Sequence, residues 1–132
     1  TTDGNGLVQT NYKGNLLQAI LDTGSNGYFF PDNVLQTQTC AAPLDSFYCP
    51  PNPVNLMGTL IGFTGGQVAV PFQVANFQSL FQSNNAAFNN VGGVSGGMPI
   101  FDWGLPLFFG RTVVVGIEGQ QSPLGIGPYF AL

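Results

Sequence analysis

Hydrophobic and polar positions alternate along this chain in short stretches broken by turns. Residues 7–12 (LVQTNY) and 15–21 (NLLQAIL) flank Lys13-Gly14 and predict a β-hairpin whose second strand delivers Asp22. Tyr28-Phe29-Phe30 reads as a short buried strand stopped by Pro31, and Pro31-Asp32-Asn33 as the start of a short helix over Val34 and Leu35. Residues 56–63 and 67–74 predict a second hairpin turning at Thr64-Gly65-Gly66, after which Asn76 is expected to cap a helical turn over Phe77, Leu80 and Phe81. Residues 84–99 carry no period and read as an exposed loop. The ending is dense: a hydrophobic run from Trp103 to Phe109, then Thr112–Ile117, a turn through Gly119–Gly125, and Tyr129–Leu132. No repeat or boundary divides the chain, so one all-β domain over residues 1–132 with one or two short helices is expected.

Composition sharpens this. The 19 Gly and 10 Pro disfavour long helices, and 44% hydrophobic against 6% charged residues marks a chain that folds. The absence of histidine removes Ser-His-Asp and Cys-His chemistry and the ordinary zinc site, and no metal or cofactor is expected. Two Lys or Arg against six Asp or Glu argue against nucleic acid and against an anionic membrane surface as partners. No apolar run approaches the roughly 18 residues of a membrane span. Cys40 and Cys49 lie in an irregular stretch, where a disulfide is preferred over two free buried thiols. A polar, Lys-poor chain without an Asn-x-Ser/Thr sequon points to an exported bacterial protein: periplasmic, cell-envelope or extracellular. The opening TTDGNGLVQT reads as the middle of a longer chain, as in a mature protein or an excised domain.

Chemistry concentrates at Ala19-Ile20-Leu21-Asp22-Thr23-Gly24-Ser25-Asn26-Gly27-Tyr28-Phe29-Phe30-Pro31. A carboxylate ending a buried strand is costly unless it is hydrogen-bonded. The backbone N–H groups of Gly24 and Ser25, and the Ser25 hydroxyl, are placed to reach back to Asp22, and Gly24 permits the close approach. Thr23 is expected to point away, its hydroxyl free for a partner across an interface. The plain alternative for Asp22 is a loop acid satisfied by its own turn. Trp103 reads as core, Asp102 as a surface or capping acid rather than a second catalytic acid, and Arg111 as an ion-pair partner of Glu118 or Asp102.

The Asp22 segment resembles the active-site strand of the pepsin and retropepsin aspartic peptidases: apolar residues, Asp-Thr/Ser-Gly-Ser/Thr/Ala, then an aromatic-aliphatic pair and Pro, matched by Phe29-Phe30-Pro31. In those enzymes two hydrophobic residues and a glycine pack under the catalytic loop, and Asp102-Trp103-Gly104 is similar, with Asp102 where an apolar residue is expected. The order of hairpin, acid strand, cysteine-closed excursion, hairpin and helical turn is similar to the C-terminal lobe of a pepsin. The resemblance implies an acid-protease-like closed β-barrel, with Asp22, Thr23, Gly24 and Ser25 as its catalytic loop. The chain also resembles a family of exported bacterial proteins of unknown function through Asp22–Asp32, Phe47–Pro50 and Phe101–Ala131.

Aspartic peptidases activate a water between two carboxyls that share a proton. One such acid here implies a peptide or protein substrate and a mate from elsewhere. Three readings stand: a second lobe of the parent chain supplies the mate, a homodimer forms through the Asp22 face, or the lobe is a non-catalytic peptide- or partner-binding or structural module of the cell envelope. The stretch from Gly58 to Gly66 is the candidate flap for the dimer. In the first two readings the Asp22 face is expected to carry an apolar patch rich in Phe.

Overall fold

A computed structural model describes residues 2–3 and 6–132. Thr1, Gly4 and Asn5, part of the opening read above as mid-chain, lie outside the described residues.

The first hairpin forms as expected, from β1 (Val8–Tyr12) and β2 (Asn15–Leu21) with Tyr12 opposite Asn15. Lys13 and Gly14 both take positive φ (51° and 81°), the geometry whose twist matches that of the strands it joins. Strands β3 (Tyr28–Phe29), β4 (Val54–Ile61), β5 (Gln67–Val74), β6 (Gly92–Gly93) and β7 (Ile100–Trp103) complete a seven-stranded sheet of order β5-β4-β1-β2-β7-β3-β6. The sheet curls into a nearly closed barrel. Ala75 N–H, just past β5, donates to the Asn90 carbonyl near β6 (2.9 Å), and Val74 occupies the space that a Cβ on Gly92 would need. The edge strand β5 holds Pro71 opposite Met57, a position where the missing N–H is tolerated.

Alternation fills the barrel. Val8, Thr10 and Tyr12 of β1 point inward and Gln9 and Asn11 outward. Inside, Trp103 stacks on Phe101 (4.2 Å between centroids), Phe101 on Phe30 (4.9 Å), and Phe72 meets Trp103 edge-on (5.3 Å). Trp103 is core, as expected, and its indole N–H donates to the Thr10 hydroxyl (2.8 Å). Gly58 makes room for that ring: a Cβ there would lie 2.7 Å from it.

Helix is scarce. Asn76 caps α1 (Phe77–Phe81), its side-chain oxygen accepting the Ser79 N–H. The turn after Pro31 is a single 3₁₀ turn, Leu35–Gln38, and the run after Gly104 is another, Leu105–Phe108. Cys40 and Cys49 form the disulfide, and Phe47 of the loop they close stacks on Phe77 (3.8 Å). The remaining strands form two small pairs, β8 (Val114–Gly116) with β11 (Tyr129–Ala131) and β9 (Gln121–Ser122) with β10 (Gly125–Ile126).

Two expectations need correction. Residues 84–99 are not wholly an exposed loop. Val91, Gly92, Gly93 and Ser95 are buried, because β6 is glycine and fits where side chains would collide with Val74 and Phe29. Arg111 pairs with neither Glu118 nor Asp102. Two residues separate it from the 105–108 turn, and its guanidinium folds back to donate to the Leu107 carbonyl at the end of that turn (2.7 Å).

The ion pair found among the described residues is Lys13 with Asp32 (2.7 Å). Asp32 also accepts the Tyr12 hydroxyl (2.5 Å) and the N–H groups of Val34 and Leu35 (2.9 Å each), tying the first hairpin to the 3₁₀ turn. Burial raises the Asp32 carboxyl, but hydrogen bonds from Lys13, Tyr12 and Leu35 outweigh it and hold it below the usual carboxylate value. The stability Asp32 contributes is therefore present above the ordinary carboxylate range and lost as pH falls through its depressed value. Asp32→Ala is expected to cost roughly 2–4 kcal/mol at neutral pH and to weaken the acid dependence, as read by urea unfolding over a pH series.

Candidate active site

Asp22 is the first residue after β2, and β2 runs parallel to β7 with Ile20 beside Asp102 and Leu21 beside Trp103. That pairing continues into the loop. Asp22 N–H donates to the Trp103 carbonyl (3.0 Å), and Leu105 N–H donates to the Ser25 carbonyl (2.7 Å). Gly104 lies under the loop so closely that a Cβ there would stand 2.1 Å from the Gly27 carbonyl oxygen. A Cβ on Gly27 would in turn meet Val91 at 2.6 Å. The loop is therefore clamped between the Gly104 backbone on one side and Val91 on the other.

The Asp22 carboxyl is satisfied largely as expected. Oδ1 accepts the Gly24 N–H (2.7 Å) and Oδ2 accepts the Ser25 hydroxyl (3.0 Å). The Ser25 N–H goes instead to the Asp22 backbone carbonyl (3.3 Å), closing the turn. A Cβ on Gly24 would stand 3.0 Å from Asp22 Oδ1, so the residue type fits the close approach. Asp22 and Ser25 are half-buried and Thr23 is exposed. The Thr23 hydroxyl has no hydrogen-bond partner among the described residues.

Asp102 is no surface or capping acid. It is 8% exposed, its Oδ2 lies 2.5 Å from Ser25 Oγ, and its Oδ1 is buried without a partner. Alternation explains the placement: Phe101 and Trp103 face the core, so Asp102 faces the other way beside Ile20 and Phe29, where the 22–27 loop covers it. The Phe101-Asp102-Trp103 pattern carried half of that signal. The register against β2 was needed for the rest. Burial pushes the Asp102 carboxyl above its ordinary value; the Ser25 hydrogen bond opposes this, and the Asp22 charge adds to it.

Two apolar grooves adjoin the loop. One, of about 300 Å³, is lined by Leu21, Val8, Leu60, Val68 and Phe130. The other, of about 340 Å³, runs from Asn26 past Phe81, Phe88, Leu105 and Phe109. The stretch read as a flap, residues 58–66, borders the first through Leu60, Ile61, Gly62 and Gly66. No cluster of three or more acidic, cysteine or histidine side chains that would suit a metal ion occurs among the described residues. No helix among them is long and apolar enough to cross a membrane.

The profile of a family described as Protein of unknown function (DUF3443) matches residues 1–132. No curated protein and no solved structure matches the chain.

The clamp predicts a sharp response at one position. Gly104→Ala is expected to lower stability by at least ~2 kcal/mol, because backbone on the other side of the contact cannot step aside. Chemical denaturation measures the loss. Amide exchange should rise across residues 22–27 more than in the β4–β5 hairpin.

Proposed function

Because the chain belongs to the DUF3443 family, whose description names no activity, we propose its function from the site: it is one lobe of an aspartic endopeptidase, and Asp22 is one of the two acids that activate water against a peptide carbonyl. The observation that carries this is the Asp22 carboxyl, held by Gly24 N–H and the Ser25 hydroxyl on a loop clamped to β7, and still open to solvent. In the reaction one carboxylate takes a proton from the water while its protonated mate polarises the carbonyl. Like charge at close range keeps the pair singly protonated.

Asp102 does not serve as that mate. Its free oxygen is buried and the other is occupied by Ser25, so neither substrate nor an attacking water reaches it. The mate comes from a second lobe of the parent chain or from a second copy. The exposed, unengaged Thr23 hydroxyl suits a bond to the facing loop in either case. The grooves beside Leu21 and Asn26 favour apolar side chains of an extended peptide. Equivalence to the C-terminal lobe of a pepsin is supported by the order of hairpin, acid loop, disulfide-closed excursion, second hairpin and capped helical turn. The disulfide and the scarcity of Lys support an exported location: periplasm, cell envelope or outside the cell.

One observation favours the second reading, a non-catalytic binding or structural module: the Asp22 carboxyl is already satisfied within its own turn. Cleavage of an unstructured protein separates the two. The parent protein is expected to cleave with a pH optimum on the acid side of neutrality and to be blocked by pepstatin. Asp22→Asn is expected to lose at least ~100-fold in rate while keeping its melting temperature. Equal turnover by the variant would remove Asp22 from the mechanism, and an inert parent protein would favour the module.

A further inference from the structure

Ser25 stands between two acids with one hydrogen to give. Its Oγ lies 3.0 Å from Asp22 Oδ2 and 2.5 Å from Asp102 Oδ2, and a hydroxyl donates once. With both carboxyls ionised, one of those contacts would set lone pair against lone pair. The contacts close into a chain when one acid carries a hydrogen. Burial decides which: Asp102 is 8% exposed and its Oδ1 touches neither solvent nor donor, so a charge there would be unsolvated. Asp22 is half open to water and its Oδ1 already accepts the Gly24 N–H. Among the described residues, nothing positive offsets a charge on Asp102. The titratable group facing it is Asp22, at the end of β2; β3 sets Phe29 beside it and turns Tyr28 into the core. Lys13 is engaged at Asp32 and Arg111 at the Leu107 carbonyl.

We propose that Asp102 is a positioning residue held as a neutral carboxylic acid, whose O–H donates to Ser25 Oγ and so aims the single Ser25 hydrogen at Asp22 Oδ2. That Asp22 then works as a catalytic acid rests on the reading given above; the protonation of Asp102 does not. The direction in which burial moves the Asp102 carboxyl agrees. Its contribution to stability is full below the ordinary carboxylate range and is lost as pH rises through its raised value.

The test is a titration of the chain labelled with ¹³C at its aspartate carboxyls, the Asp102 signal being assigned by its loss in Asp102→Asn. That signal is expected to remain at the protonated-acid position at pH values where a free aspartate side chain is ionised. Asp102→Asn, whose amide N–H can donate to Ser25 as the acid does, is expected to melt at neutral pH no lower than the unmodified chain, with a flatter pH dependence. Asp102→Ala, without a donor, is expected to melt lower. An Asp102 signal that ionises in the ordinary range, or an Asn variant as damaged as the Ala variant, would overturn the proposal. Neither readout needs peptidase activity, so an inactive protein leaves the outcome intact, and a failure here leaves the role of Asp22 to its own experiment.

Discussion

The parallel pairing of β2 with β7 is the constraint on which the site depends. It brings the end of one core strand, where the chain turns at Asp22, against the Trp103 carbonyl and over Gly104. Without that neighbour the Asp22 loop would be a turn of six polar and small residues, 22–27, with no reason to hold one shape. With it, backbone bonds at Asp22 and Ser25 hold the loop, and one carboxyl oxygen is oriented by the Gly24 N–H, a backbone donor that cannot rotate away. The same pairing anchors Trp103, whose ring organises the aromatic stack inside the barrel.

The parts of this architecture legible in the sequence are the local ones. The Lys13-Gly14 hairpin, the Asn76 cap and the reach of Gly24 and Ser25 back to Asp22 are set by residues a few positions apart, and each forms where its pattern put it. What escaped depends on long-range register. The strand at Gly92-Gly93 has no side chains from which to read a period, and its burial comes from Val74 and Phe29, supplied by distant strands. Asp102 is 77 residues from Ser25 in sequence, so its outward direction was readable but its partner was not. Asp32 escaped for the same reason: it began the turn as expected, yet its strongest partners, Tyr12 and Lys13, lie a hairpin away.

The molecule solves the problem of the buried acid in two ways. At Asp32 the protein surrounds a carboxylate with an ammonium, a phenol and two backbone N–H groups, and ionisation is favoured. At Asp102 it offers one hydroxyl and an acidic neighbour, and ionisation is opposed. Two acids buried to a similar degree are thus driven in opposite directions by what packs around them, and acidity here is a property of place.

The barrel is not sealed along its whole length, since β5 is a border of eight residues whose neighbour on the far side is met only near Ala75. Such a border is a natural landing strip for foreign extended chain. Pro71, halfway along it, offers no amide hydrogen, so a visiting strand laid there would find no donor at that rung. A single imino acid thereby turns an open flank into one that resists annealing to copies of itself.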